Sequence, residues 1–134
     1  MAERTIQTFF YGLYMDEGVL RDKGVEPRHP RRAVVPGYRT RIGERAALVP
    51  RFGAQAFGMV FDLTHAELQR LYSGAGLDMY RPDSVLAFFE DGSSRAVATF
   101  NLAEPPAPGE GNPGYAAKLR GVLERLGLPS TELE

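Results

Sequence analysis

The sequence predicts an α+β fold, a small curled, mostly antiparallel sheet or barrel of about six strands with two short helices and a C-terminal helix. Three observations carry this expectation. Short β-branched and aromatic runs are separated by turn residues, a capping box marks a helix in mid-chain, and an apolar stripe at helical spacing lies near the end. With 134 residues and 43% apolar side chains there is material for one core, so a single domain is expected.

The elements follow in order. Thr5-Ile6-Gln7-Thr8-Phe9-Phe10-Tyr11 is β-branched and aromatic, and Gly12 stops it. Asp16 and Glu17 place negative charge at the start of a two-turn helix that ends at Gly24. After the extended stretch around Pro27 and Pro30, residues 33–42 and 46–49 form a hairpin about Gly43-Glu44-Arg45. Residues 54–63 make the next strand, where Gly58 marks a bulge or a close backbone approach. Thr64 and Glu67 then form a capping box for a helix ending near Tyr72. Residues 80–89 and 96–102 flank Asp91-Gly92, a hairpin signal. A proline- and glycine-rich connector spans 105–113. Asn112 caps the last helix, with Pro113 in its first turn, and Tyr115, Leu119, Val122, Leu123 and Leu126 form its inner stripe.

Charge excludes some functions. The formal net charge is −1 with 25% charged residues, so no global field draws the chain to nucleic acid or an anionic membrane. Seven arginines fall between Arg28 and Arg51, opposed only by Glu26 and Glu44. They read as the solvated face of strands, with anion binding as the functional alternative. There is no cysteine, hence no disulfide framework, thiolate zinc site or cysteine nucleophile. His29 and His65 stand in different elements without ligand spacing, so neither a metal nor a cofactor is expected. No apolar stretch near Met1 is long enough for a signal peptide or spanning helix, and a cytoplasmic location is expected.

The order of these elements, with Tyr11-Gly12-Leu13-Tyr14-Met15 after the first strand, Leu63-Thr64-His65-Ala66-Glu67-Leu68 opening the second helix, Tyr80-Arg81 opening a strand, and Asn112-Pro113-Gly114-Tyr115 opening the last helix, resembles the gamma-glutamylcyclotransferase-like superfamily. The likeness covers nearly the whole chain. In that superfamily the first loop reads Tyr-Gly-Ser-Asn or Tyr-Gly-Ser-Leu, usually followed by methionine or leucine, so Leu13 and Tyr14 are departures.

The resemblance implies a reaction in which the α-amine of a gamma-glutamyl group attacks its own γ-carbonyl, releasing 5-oxoproline and an amine or amino acid. It further implies a small, amino-acid-derived ligand held by Tyr11, Gly12, Leu13, Tyr14 and Met15, with Ser73, Gly74 and Tyr115 near it. Backbone N–H groups after Gly12 are expected to face a carboxylate or oxyanion. The superfamily's general acid and base is a glutamate after the second helix. Here Leu71-Tyr72-Ser73-Gly74-Ala75-Gly76-Leu77-Asp78 puts Ser73 or Gly74 at that position, and neither has a carboxylate. Asp78 is the nearest replacement. Two functions follow: a cyclotransferase with a relocated base, or a ligand-binding or regulatory protein on the same fold that has lost the chemistry.

Overall fold

A computed structural model describes residues 4–74, 77–107, 110–130 and 133. The elements are β1 (Thr5–Phe10), a 3-10 turn (Leu13–Met15), α1 (Glu17–Asp22), β2 (Arg28–Ile42), β3 (Ala46–Thr64), α2 (His65–Leu71), β4 (Tyr80–Phe89), β5 (Ser94–Leu102) and α3 (Pro113–Arg125). The strands close a barrel in the order β1-β3-β2-β4-β5. All neighbours are antiparallel except β1 and β5, which meet in parallel at Thr8↔Ala98 and Phe9↔Thr99.

Five strands stand where about six were expected, because the segments at 46–49 and 54–63 are one strand. The turn-like residues between them are absorbed by a bulge. Pro36 pairs with Gln55 and Tyr38 with Pro50, so several residues of β3 face Gly37 alone. Gly37 and Gly53 have φ of 85° and 78°, a region that only glycine enters freely, and Phe52 at the crest is fully exposed.

Both faces of the second half of β1 are buried, which explains the adjacent Phe9 and Phe10. Phe9 and Tyr11 turn inward onto Val35, Leu48, Val60 and Val97. Phe10 turns outward into a second cluster with Met15, Leu20, Phe61, Leu71 and Leu119, where the helices pack. At Gly58 the close approach is real, since a Cβ there would lie 2.1 Å from the Phe10 carbonyl oxygen across the β1–β3 ladder.

Two polar devices fix the frame. The capping box forms as expected, and Glu67 does more than cap. Its carboxylate also accepts from Arg28 (2.8 Å) and from the Glu26 N–H (2.8 Å), tying α2 to the start of β2. Burial pushes the Glu67 carboxyl up, but these donors and the Thr64 N–H outweigh it and hold its pKa at about 2. The second device is Asn101 on β5. Its side-chain amide accepts from Leu48 N–H and donates to Leu48 C=O, both at 2.9 Å, which reproduces a strand's hydrogen bonding where β5 does not pair with β3.

Candidate functional site

Beyond the end of β1 the barrel opens into a cavity of about 230 Å³. Its wall is built from Phe9 and Phe10 of β1, Tyr11 just after it, the Gly12-Leu13-Tyr14 loop, Val19 and Lys23 at α1, and Arg45-Ala46 at the β2–β3 turn. Tyr72 after α2, Leu77, Tyr80 of β4, Phe100 of β5 and Tyr115 of α3 complete it.

Local sequence explains why the loop approaches Tyr115 so closely. Gly12 is extended (φ −107°, ψ −156°), so its conformation does not demand glycine. Space does. A Cβ at Gly12 would lie 2.7 Å from the Tyr115 hydroxyl oxygen, which accepts a hydrogen bond from Leu13 N–H at 3.2 Å. The following N–H groups close the turn, with Met15 N–H donating to Gly12 C=O (3.0 Å) and Asp16 N–H to Leu13 C=O (3.1 Å). Leu13, Met15 and Asp16 therefore donate within the protein rather than into the cavity.

The tyrosines divide by what their hydroxyls touch. Tyr11 donates to Phe100 C=O (2.8 Å), Tyr14 to Leu71 C=O (3.0 Å), and Tyr80 to Ala46 C=O. Tyr115 accepts from Leu13, and no described residue receives its own O–H. The Tyr72 hydroxyl makes none of these bonds to a backbone carbonyl. Its ring stacks on Phe100 at 4.3 Å and meets Tyr14 edge-on at 5.8 Å. Burial pushes all five phenols up, so each is a protonated donor near neutral pH. The Arg45 guanidinium partly opposes this at Tyr14, Tyr80 and Tyr115, which places its charge beside them.

Of the residues singled out from the sequence, Tyr11, Gly12, Leu13, Tyr14 and Tyr115 come together in this wall. The others do not line it. Met15 is fully buried in the helix-side core. Ser73 is exposed and donates to Arg70 C=O at 3.2 Å. Gly74 is exposed, with only Leu77 within reach of a Cβ, at 3.8 Å. Asp78 is exposed, and it is its backbone carbonyl that accepts from Arg81. Ala75 and Gly76 lie outside the described residues. Asp16 caps α1 through Gly18 N–H (2.9 Å) and pairs with Arg125 (2.6 Å), while Glu17 pairs with Arg21 (3.2 Å). No acidic side chain lines the cavity among the described residues.

Sequence reasoning missed Arg45, Lys23, Tyr72, Tyr80, Phe100 and Leu77. Arg45 looked like a turn residue and Tyr72 like a helix end. The available signal was that tyrosines stand at the boundary of one element after another: Tyr11, Tyr14, Tyr72, Tyr80 and Tyr115. No described group of three or more His, Cys, Asp or Glu residues is arranged to hold a metal ion. No helix of the described residues is long and apolar enough to cross a membrane.

This closed barrel with helices against it is a fold shared with solved structures that include a gamma-glutamyl cyclotransferase and an AIG2-like protein. A gamma-glutamyl cyclotransferase superposes with a TM-score of 0.73 at 16% identity, over 94% of this chain and 82% of the other. A protein of Arabidopsis thaliana solved in solution gives 0.69 at 21%, over 96% and 97%. An AIG2-like protein of Mus musculus gives 0.59 at 16%, over 97% and 88%. No family model matches the sequence, and no curated protein matches it. At these identities the likeness is one of fold.

Proposed function

We propose that the cavity beyond β1 binds a small, carboxylate-bearing, amino-acid-derived ligand of the gamma-glutamyl or a related class, without catalysing cyclotransfer. One observation carries this: the described wall combines Arg45, Lys23 and protonated phenols with no carboxylate. Cations and O–H donors stabilise an anion, and such charge-assisted hydrogen bonds are roughly twice as strong as neutral ones. The volume is also modest. About 230 Å³ falls below the roughly 300–1,000 Å³ of pockets that hold drug-sized molecules. The gamma-glutamyl class is suggested by the neighbour named gamma-glutamyl cyclotransferase.

Catalysis is a separate matter, because ring closure needs a group that removes a proton from the attacking amine and delivers one to the leaving amine. Buried phenols with raised pKa are poor bases, and Asp78 stands outside the wall. The test pairs titration calorimetry with 5-oxoproline release, using gamma-glutamyl dipeptides and N-acylated amino acids. Carboxylate-dependent binding is expected, weakened about tenfold or more by Arg45→Met, with no release by the native protein. Release by the native protein that Asp78→Asn abolishes would replace this reading with a relocated base. Release only in Gly74→Glu would mark a binding pocket from which the base alone is missing.

A further inference from the structure

The cavity wall has two kinds of surface. At the β2–β3 turn it is polar. The Tyr80 hydroxyl donates to Ala46 C=O there, the Tyr115 hydroxyl stands over Gly12 close to Ala46, and the Arg45 charge acts on both phenols. Elsewhere it is aliphatic, with Leu13 from the 3-10 turn, Val19 from α1 and Leu77 from the segment between α2 and β4.

Val19 and Leu77 are half-buried, and neither packs into the two core clusters of the described residues. One aliphatic side chain at a surface needs no explanation; two from separate elements facing one concavity do. Both are held in place by their own backbone. Leu77 N–H donates to Gly74 C=O (3.0 Å) and Leu77 C=O accepts from Tyr80 N–H (3.2 Å), while Val19 N–H donates to Asp16 C=O (3.1 Å) in the first turn of α1. Aromatic rings extend the apolar surface, with Tyr14 meeting Phe10 at 6.1 Å and Tyr72 at 5.8 Å. Small-molecule sites combine such apolar walls with a few polar groups that fix orientation, and a wall already in place costs little to order when a ligand arrives.

We propose that this aliphatic surface receives the ligand's side chain, so that the cavity selects amino-acid-derived acids with an aliphatic side chain over those with none, and that Leu77 and Val19 set the preference. This rests on the carboxylate-binding reading of the site. A cavity of about 230 Å³ keeps the side chain short. The test is calorimetric titration of the native protein with N-acetylglycine, N-acetylalanine and N-acetylnorvaline, which lengthen the side chain stepwise, and with N-acetylnorvalinamide, which lacks the carboxylate. Affinity is expected to rise about fourfold for each added carbon, the worth of one methylene moved out of water. In Leu77→Asn and in Val19→Thr, which keep the shape and add polarity, the preference for N-acetylnorvaline over N-acetylglycine is expected to fall about fourfold or more. Equal affinity across the three acids, or a preference unchanged in both variants, overturns the selection for an aliphatic side chain and leaves carboxylate binding standing. Equal binding of N-acetylnorvaline and N-acetylnorvalinamide, or no binding of any acid, overturns carboxylate binding itself and the selection with it.

Discussion

Replacing Gly12 by alanine tests whether the first loop is glycine because of Tyr115. The new Cβ would begin 2.7 Å from the Tyr115 hydroxyl oxygen, and ordinary contact starts at 3.4 Å, so the phenol must retreat by about 0.7 Å. That shift breaks the 3.2 Å bond from Leu13 N–H. The part-buried Leu13 N–H left without its acceptor costs about 1.5 kcal/mol, in the lower half of the ~1–3 kcal/mol range, and overpacking adds a similar amount. Against this, alanine stiffens the unfolded chain by ~0.4–1 kcal/mol, because an extended backbone suits it. A net loss of about 2 kcal/mol is expected from these terms. In a Tyr115→Phe background the clashing oxygen is gone, and the next atom near the Cβ is that of Ala46 at 3.7 Å. Alanine should then cost almost nothing. Urea unfolding of the two single variants and the double variant would give a coupling of about 2 kcal/mol with unchanged m-values. If Gly12→Ala costs the same in both backgrounds, within about 0.5 kcal/mol, the close approach is not the reason for the glycine.

Tyr72→Phe removes a cavity-lining hydroxyl that makes none of the bonds to carbonyls described for Tyr11, Tyr14 and Tyr80, so stability should stay within about 0.5 kcal/mol of native, while binding of N-acylated amino acids in calorimetric titration falls. Gly58→Ala should be far worse than Gly12→Ala, because its Cβ meets a backbone oxygen at 2.1 Å that no side-chain rotation relieves; a loss of ~3 kcal/mol or more, or failure to accumulate folded protein, is expected in denaturation and near-UV dichroism. For Glu67 the folded pKa lies below the ordinary value, at about 2 against 4.5, so its stabilisation is present above pH 4.5 and is lost as pH falls towards 2. Glu67→Gln should therefore cost about 3 kcal/mol near neutral pH and progressively less in acid, read as the difference between two pH–stability curves.

Local signals in the sequence were reliable where one residue type has one physical use. Thr64 with Glu67, Asn112 with Pro113, and Asp91-Gly92 stand where caps and a hairpin turn were expected, with Gly92 at φ 86°. The extra strand was expected because 46–49 and 54–63 read as separate strands, with Pro50 and Gly53 between them. Only pairing to β2 on both sides of the bulge shows that the ladder continues. The site was half legible for a related reason. Tyr11 to Tyr14 and Tyr115 are neighbours of a turn and a cap, which sequence marks. Arg45, Tyr72, Tyr80 and Phe100 reach the cavity only because the barrel closes, and closure depends on pairings between distant segments. Glu67 illustrates the converse, since its local role was readable and its bond to Arg28 was not.

Asn101 gives the barrel an adjustable seam. Hydrogen-bonded strands keep a fixed separation, whereas a side-chain amide spans a distance that depends on which side chain is present. Here one residue joins β5 to β3 at Leu48 and lies next to Phe100 of the cavity wall. A residue without an amide at position 101 would lose both bonds to Leu48 at once. The seam beside the chamber thus hangs on a single side chain, which also accepts from the Tyr11 hydroxyl of the wall at 3.3 Å.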